Sequence, residues 1–163
     1  YAYRAEFMAM GFRVAGVTLP TVPMPAPPDA GPVTKTAAKT ANGTVFLRAV
    51  EGGHFLADAA VNGTHVRFLV DTGASMVALS PQDAQRLRMD LKKLDFNIPI
   101  ETANGKNFAA RVTLDEISIG SISRKKVQAV VVRGGMEQSL LGMTFLNSIG
   151  SFEMGDGVLI LRD

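Results

Sequence analysis

No cysteine occurs among the 163 residues, which excludes disulfides and thiolate-bound metal and leaves no redox signature of a compartment. Histidine is almost as scarce. His54 and His65 have no spacing that would chelate an ion, so both read as surface or edge-strand residues and no metal site is expected. No apolar run reaches the roughly 18 residues that a membrane-spanning helix needs. The net charge is only +2, and the basic residues are scattered rather than gathered into a stripe with interleaved aromatics. That distribution argues against nucleic acid as a partner.

What is present suits one globular domain: 47% hydrophobic and 20% charged residues. Residues 1–19 carry an uneven apolar stripe and read either as an irregular helix or as an unstructured tail. Pro20 to Pro32 holds six of the eight prolines, which removes backbone donors and favours extended chain. With the Thr-, Lys- and Ala-rich stretch that follows, residues 20–43 read as a linker, and residues 44–163 as the domain. From there on, short apolar runs alternate with turn signals, the pattern of an all-β domain. Val45 to Val50 and His54 to Val61 flank Glu51-Gly52-Gly53, and Asn62-Gly63 turns the chain into His65 to Val70. Ser80-Pro81-Gln82-Asp83 carries a capping hydroxyl, a proline at the first helical position and a carboxylate, predicting a short helix to about Arg88.

Asp71-Thr72-Gly73-Ala74-Ser75 sits between Phe68-Leu69-Val70 and Met76-Val77-Ala78-Leu79. An ionisable group between two strand-like apolar runs is costly unless hydrogen bonds or a shared proton compensate, so Asp71 is a candidate catalytic carboxylate. Gly73 permits a sharp turn, Thr72 supplies a hydroxyl, and the following amides are available to a carboxylate or a substrate oxygen. The competing reading makes Asp71 a turn residue bonded to its own backbone.

With these flanks the segment resembles the aspartic proteases, and residues 44–163 resemble a retropepsin-like domain. The match extends to Leu140-Leu141-Gly142, which in that family passes behind the catalytic loop and leads into a short helix, here Met143 to Ser148. Closer still is the resemblance to bacterial membrane-anchored retropepsin-like proteases, carried by Val61-Asn62-Gly63, by Phe68 to Ser80, by Thr102-Ala103-Asn104-Gly105 and by Ser139 to Met143. Met143 stands where retroviral members carry an arginine, so the subunit contacts of that arginine do not carry over.

The resemblance implies a closed acid-protease β-barrel with a flap hairpin and one or two short helices, working as a homodimer without a cofactor. The implied substrate is an extended polypeptide. Only one Asp-Thr-Gly is present, and pepsin-like monomers with two need about twice this length, so the second aspartate is expected from another subunit. One Asp71 would activate water while its protonated counterpart polarises the scissile carbonyl. Thr72 would brace the two loops across the two-fold axis, the Gly73 carbonyl would receive a substrate amide, and Ser75 would bond near the carboxylate.

The alternation of Phe108, Ala110, Val112 and Leu114 after Asn104-Gly105 predicts a hairpin. Its polar tip, Thr102, Ala103, Asn104, Gly105, Lys106 and Asn107, is assigned as the flap. Ala74, Ile100, Phe108 and Met136 are candidate pocket residues. Ile117 to Gly120 and Val127 to Val132 supply further strands, and Val158 to Leu161 ends the fold, at the dimer interface if the resemblance holds. Asp115-Glu116 reads as solvated charge, and Arg124-Lys125-Lys126 as a solvated loop rather than a lipid site. Tyr1-Ala2-Tyr3-Arg4 has the aromatic-then-basic composition of a membrane interface. With the resemblance to the membrane-anchored proteases, it implies an inner-membrane anchor preceding Tyr1 and a periplasmic domain. The rival reading is a retropepsin-like module that binds peptides or dimerises without cleaving.

Overall fold

Three Asn-Gly or Asp-Gly pairs set the hairpins of the computed structural model, which describes residues 39–102 and 104–163. Asn42-Gly43, Asn62-Gly63 and Asp156-Gly157 all adopt positive φ at both positions, the requirement of the tight turn whose twist matches two paired strands. They join β1 (Lys39–Ala41) to β2 (Thr44–Arg48), β3 (Leu56–Val61) to β4 (Thr64–Val70), and β10 (Ser151–Gly155) to β11 (Val158–Arg162). Between them lie β5 (Val77–Leu79), helix α1 (Pro81–Arg86), β6 (Ile98–Thr102), β7 (Gly105–Ile119), β8 (Ile122–Val132), β9 (Ser139–Leu141) and helix α2 (Met143–Leu146).

The fold is all-β with a closed barrel. Strands run in the order β3-β4-β9-β5-β8-β7, and β7 returns to β3 through Ala60↔Ser118 and Val61↔Ile117. Closure removes the free sheet edges that would otherwise invite pairing with other chains. Strand β6 lies outside the ring and, among the described residues, pairs only with β7. A second sheet, ordered β1-β2-β11-β10, brings the last strand of the chain beside the first ones. Strands β2, β3 and β11 alternate buried and less buried residues, as two-sided strands do. Their inward side chains join Phe68, Leu114, Ile117 and Phe145 in one apolar core. Each large side chain fully buried there contributes roughly 1.5–3 kcal/mol relative to exposure.

Several elements differ from the sequence expectations. Pairing begins at Lys39, inside the stretch read as linker, because Asn42-Gly43 folds that segment back on β2. Residues 1–19, and the linker up to residue 38, lie outside the described residues. Helix α1 stops at Arg86, soon followed by a positive φ at Arg88. Strand β7 runs unbroken through Asp115-Glu116, because each carboxylate has a place: Asp115 is exposed and pairs with Lys126 at 2.6 Å, while Glu116 accepts from the Ser123 hydroxyl. Arg124-Lys125-Lys126 is therefore strand, not loop. Its register against β7 is Glu116↔Lys125 and Ile117↔Arg124, and the Arg124 guanidinium is held by Asp163 and the Ser148 carbonyl.

On the β3-β4 hairpin, Asp58 accepts two hydrogen bonds from Arg67, at 2.7 and 3.2 Å, and lies 3.2 Å from His65 Nε2. The Arg67 hydrogen bond is the main reason that the Asp58 carboxyl is held below its ordinary value; burial opposes it more weakly, and the charges of Arg67 and His65 assist. A depressed carboxylate contributes stability above its unfolded value, near pH 3.9, and loses it as pH falls through the folded value. Asp58→Asn should therefore lower the urea midpoint at pH 7, and the gap to wild type should close as pH drops below about 4. A gap independent of pH would refute this role for the pair.

Candidate active site

Asp71 leaves the end of β4 and opens the loop that leads to β5. Its backbone amide donates to the Leu141 carbonyl at 3.2 Å, and its own carbonyl accepts from the Ala74 amide at 3.2 Å, closing a tight turn. Oδ1 accepts from the Gly73 amide at 2.8 Å. The turn-type bond of the competing reading is thus present, but it occupies one oxygen only. Oδ2 is buried and has no hydrogen-bond partner among the described residues. An added Cβ at Gly73 would stand 3.1 Å from Oδ1, so glycine lets the amide approach. Ala74 is half-buried, whereas Thr72, Gly73 and Ser75 are exposed. The side chains of Thr72 and Ser75 make no hydrogen bond to the described residues.

Leu140-Leu141-Gly142 passes directly behind this loop. Strand β9 lies between β4, to which it is parallel, and β5, which it meets antiparallel through Ala78↔Leu140. At its end, Gly142 sits so close beneath the loop that an added Cβ would lie 2.1 Å from the Met76 carbonyl oxygen and 2.7 Å from that of Ala74. Neither contact is possible for a carbon. Past the glycine, the Met143 amide donates to the Ala74 carbonyl at 2.8 Å. Thr144 Oγ1 then accepts from the Val77 amide at 2.9 Å and donates to the Gln128 carbonyl at 2.9 Å. Sequence reasoning did not single out Thr144. A hydroxyl at the start of a short helix carries no local signal that its partner is the far end of a distant loop.

The hairpin assigned as the flap is formed by β6 and β7, with Thr102↔Gly105 as the last pair. Asn104 is a turn residue, but Gly105, at φ +101°, already belongs to the strand, so the predicted Asn104-Gly105 turn is not where the chain reverses. Ala103 itself lies outside the described residues. Thr102 Oγ1 donates to the Gly105 carbonyl at 2.9 Å, and Lys106 is exposed. Asn107 Nδ2 donates to the Gly134 carbonyl at 2.7 Å, and the Arg133 amide donates to the Phe108 carbonyl at 2.9 Å, so the base is tied to the segment after β8. Of the candidate pocket residues, Ile100 and Met136 pack on one small apolar cluster with Ala78 and Val130, while Phe108 is 45% exposed. No grouping of three or more His, Asp or Glu able to hold a metal lies among the described residues.

A closed β-barrel with an Asp-Thr-Gly loop backed by a Leu-Leu-Gly strand defines the class of retropepsin-like aspartic proteases. Residues 57–148 match the family described as gag-polyprotein putative aspartyl protease, and the chain belongs to that family. The crystal structure of a retropepsin-like aspartic protease from Rickettsia conorii is similar with 39% identity and a TM-score of 0.69, over 74% of this chain and 90% of that one. EIAV protease, solved with the inhibitor HBY-793, shares the fold at 19% identity and a TM-score of 0.51, over 61% of this chain and 91% of its own. An uncharacterized protein from Sinorhizobium is 38% identical over 100% of this chain and 66% of its own length. Another from Rickettsia prowazekii is 34% identical over 99% of this chain and 64% of its own. The chain thus spans about two thirds of the length of these curated relatives.

The contact under the loop gives a direct test. Gly142→Ala should destabilise the fold by about 3 kcal/mol, because the loop backbone must move to admit the methyl group. Gly134→Ala, where an added Cβ meets nothing within 4 Å, serves as the control for the substitution itself. Equal urea midpoints for the two variants would show that Gly142 is not pressed against the loop.

Proposed function

We propose that the protein is an aspartic endopeptidase in which Asp71 of two copies forms one water-activating dyad. The observation that carries the proposal is the Asp71 carboxylate, with Oδ1 held by the Gly73 amide and Oδ2 buried and unpaired, in a chain with a single Asp-Thr-Gly. A buried, unsatisfied carboxylate oxygen costs on the order of 1–3 kcal/mol. A proton shared with a second carboxyl, or a water held between the two, removes that cost. Two carboxyls so close cannot both ionise. The ionised one takes a proton from water as the water oxygen attacks the peptide carbonyl carbon, and the protonated one donates to the carbonyl oxygen. Collapse of the tetrahedral intermediate breaks the C–N bond: the amine nitrogen takes the proton that the first carboxyl removed from water, and a hydroxyl of the intermediate returns a proton to the second.

The substrate in this reading is an extended polypeptide laid between the loop and the β6-β7 hairpin, bound through main-chain hydrogen bonds with alternate side chains in pockets. Ala74, Ile100, Phe108 and Met136 are the candidate pocket residues. A membrane anchor upstream of Tyr1 and a periplasmic setting belong to the same proposal, supported by the resemblance and by Tyr1-Ala2-Tyr3-Arg4. Among the described residues, no helix is long and apolar enough to cross a membrane.

Incubation with unfolded casein tests the chemistry. Asp71→Asn should lower the cleavage rate by at least about a thousandfold, because the amide cannot accept the proton of water. An equal mixture of wild-type and Asp71→Asn subunits, freely exchanged, should keep about a quarter of the wild-type activity, since only pairs of wild-type subunits are active. Retention of about half would indicate independent monomeric sites. Cleavage by neither protein, with peptide binding intact, would favour a non-catalytic module.

Self-processing is the natural first reaction for a protease tethered to its own proline-rich segment, which is present at high effective concentration. Mass spectrometry after storage should find new N-termini between Val14 and Thr40 in wild type and none in Asp71→Asn. The same set of termini in both preparations would assign the cuts to a contaminant.

A further inference from the structure

The strand that backs the catalytic loop is thinly held by its own ladder. β9 has three residues, Ser139–Leu141, with three pairs to β4 and one to β5. Three contacts that order the rear of the loop lie at or just beyond its far end: the Asp71 amide on the Leu141 carbonyl, Gly142 beneath Ala74 and Met76, and Met143 on the Ala74 carbonyl. Sliding of β9 along β4 would move all three contacts together.

At the other end of β9 lies a buried polar cluster that the chemistry does not use. The Ser139 hydroxyl is fully buried, donates to Asp83 Oδ2 at 2.6 Å and accepts from the Ser80 amide at 3.0 Å. Asp83, itself 9% exposed, also accepts from the Ser80 hydroxyl at 3.3 Å, and its other oxygen takes Arg86 at 3.0 Å. The Ser80 hydroxyl closes the set by accepting from the Asp83 amide at 3.2 Å. A capping residue needs only the bonds within α1. The additional bond to Ser139, 56 residues away, joins the helix start to β9. Burying a carboxylate is tolerated when donors meet its oxygens, and here both oxygens of Asp83 have them.

We infer that Asp83 and Ser139 are positioning residues for Asp71: their buried hydrogen bond fixes β9 along its axis and thereby sets the depth of the catalytic loop. The inference rests on the aspartic protease reading, but its physical content, the order of the loop, is measurable without cleavage. Displacement of a reacting group by about 1 Å costs up to about a hundredfold in rate. Substrate binding through the hairpin is untouched by such a shift.

The test uses the whole chain, with unfolded casein as substrate and amide hydrogen exchange as a second readout. Ser139→Ala removes the tie and leaves the bonds within α1. Asp90→Ala removes the cap of the short 3-10 turn Leu91–Lys93 and shares no hydrogen bond with β9, so it controls for general loss of stability. We expect Ser139→Ala to lower kcat by about ten- to a hundredfold with KM within about twofold of wild type, and to speed exchange at the Asp71 and Met143 amides. Asp90→Ala should leave kcat per folded molecule and both amides unchanged. Should Ser139→Ala not fold, Asp83→Ala, which keeps the Ser139 hydroxyl but removes its acceptor, takes its place with the same expectations. Wild-type kcat and exchange in the β9 variant, or equal changes in the β9 variant and Asp90→Ala, would overturn the inference. If wild type itself cleaves nothing, the proteolytic reading fails, and the exchange comparison alone still decides whether the cluster positions the loop.

Discussion

Gly142 lies under the carbonyls of Ala74 and Met76 at a separation that admits a hydrogen and no carbon. This crossing of backbones determines much of the arrangement around it. A three-residue strand must reach the loop from behind, so β9 has to run between β4 and β5, the two strands that the loop connects. Because β9 is parallel to β4 and antiparallel to β5, the loop passes over its end and not along its side. The bonds from Asp71 to Leu141, from Met143 to Ala74 and from Val77 to Thr144 then grip the loop at its beginning, middle and end.

Against that rigid support, the partnered carboxylates among the described residues contrast with Asp71. Asp58, Asp83 and Glu116 each face a cation or a hydroxyl that matches their oxygens, and Asp115 meets Lys126 at the surface. These are structural or solvated charges, and their partners account for them. Asp71 differs in kind: one oxygen is fixed by an amide and the other is buried without a donor. The Leu141, Gly142 and Met143 contacts behind the loop hold this carboxylate in place.

The barrel also carries a hairpin that extends beyond its closed ring. Closure through β3 and β7 gives every strand in the ring two neighbours, whereas among the described residues β6 pairs on one side only. The β6-β7 hairpin is anchored at its base by Asn107 and Phe108, and its outer strand has no second neighbour in the sheet. Fixed floor and free-edged hairpin thus come from the same strand, β7, which is ladder-bonded to β8 along most of its length and to β6 near its start.

The sequence by itself determined what depends on neighbours along the chain. Asn62-Gly63 turns because two positive φ values are cheap for that pair, Ser80-Pro81 starts a helix because a hydroxyl caps it, and apolar alternation gives the strands a face. Asp71 was readable as a candidate site because an ionisable residue is unusual between apolar runs, and Leu-Leu-Gly only through the family resemblance. What only the tertiary structure decided depends on residues far apart. Arg124-Lys125-Lys126 looks like a loop until the pairing of β7 with β8 takes it into a strand, with Lys126 on Asp115 across the two strands and Arg124 on Asp163. Thr144 reaches Val77 across 67 residues, and Ser139 reaches Asp83 across 56. A buried hydrogen bond between distant residues leaves no local trace, because its worth comes from the exclusion of water, which only the assembled barrel provides.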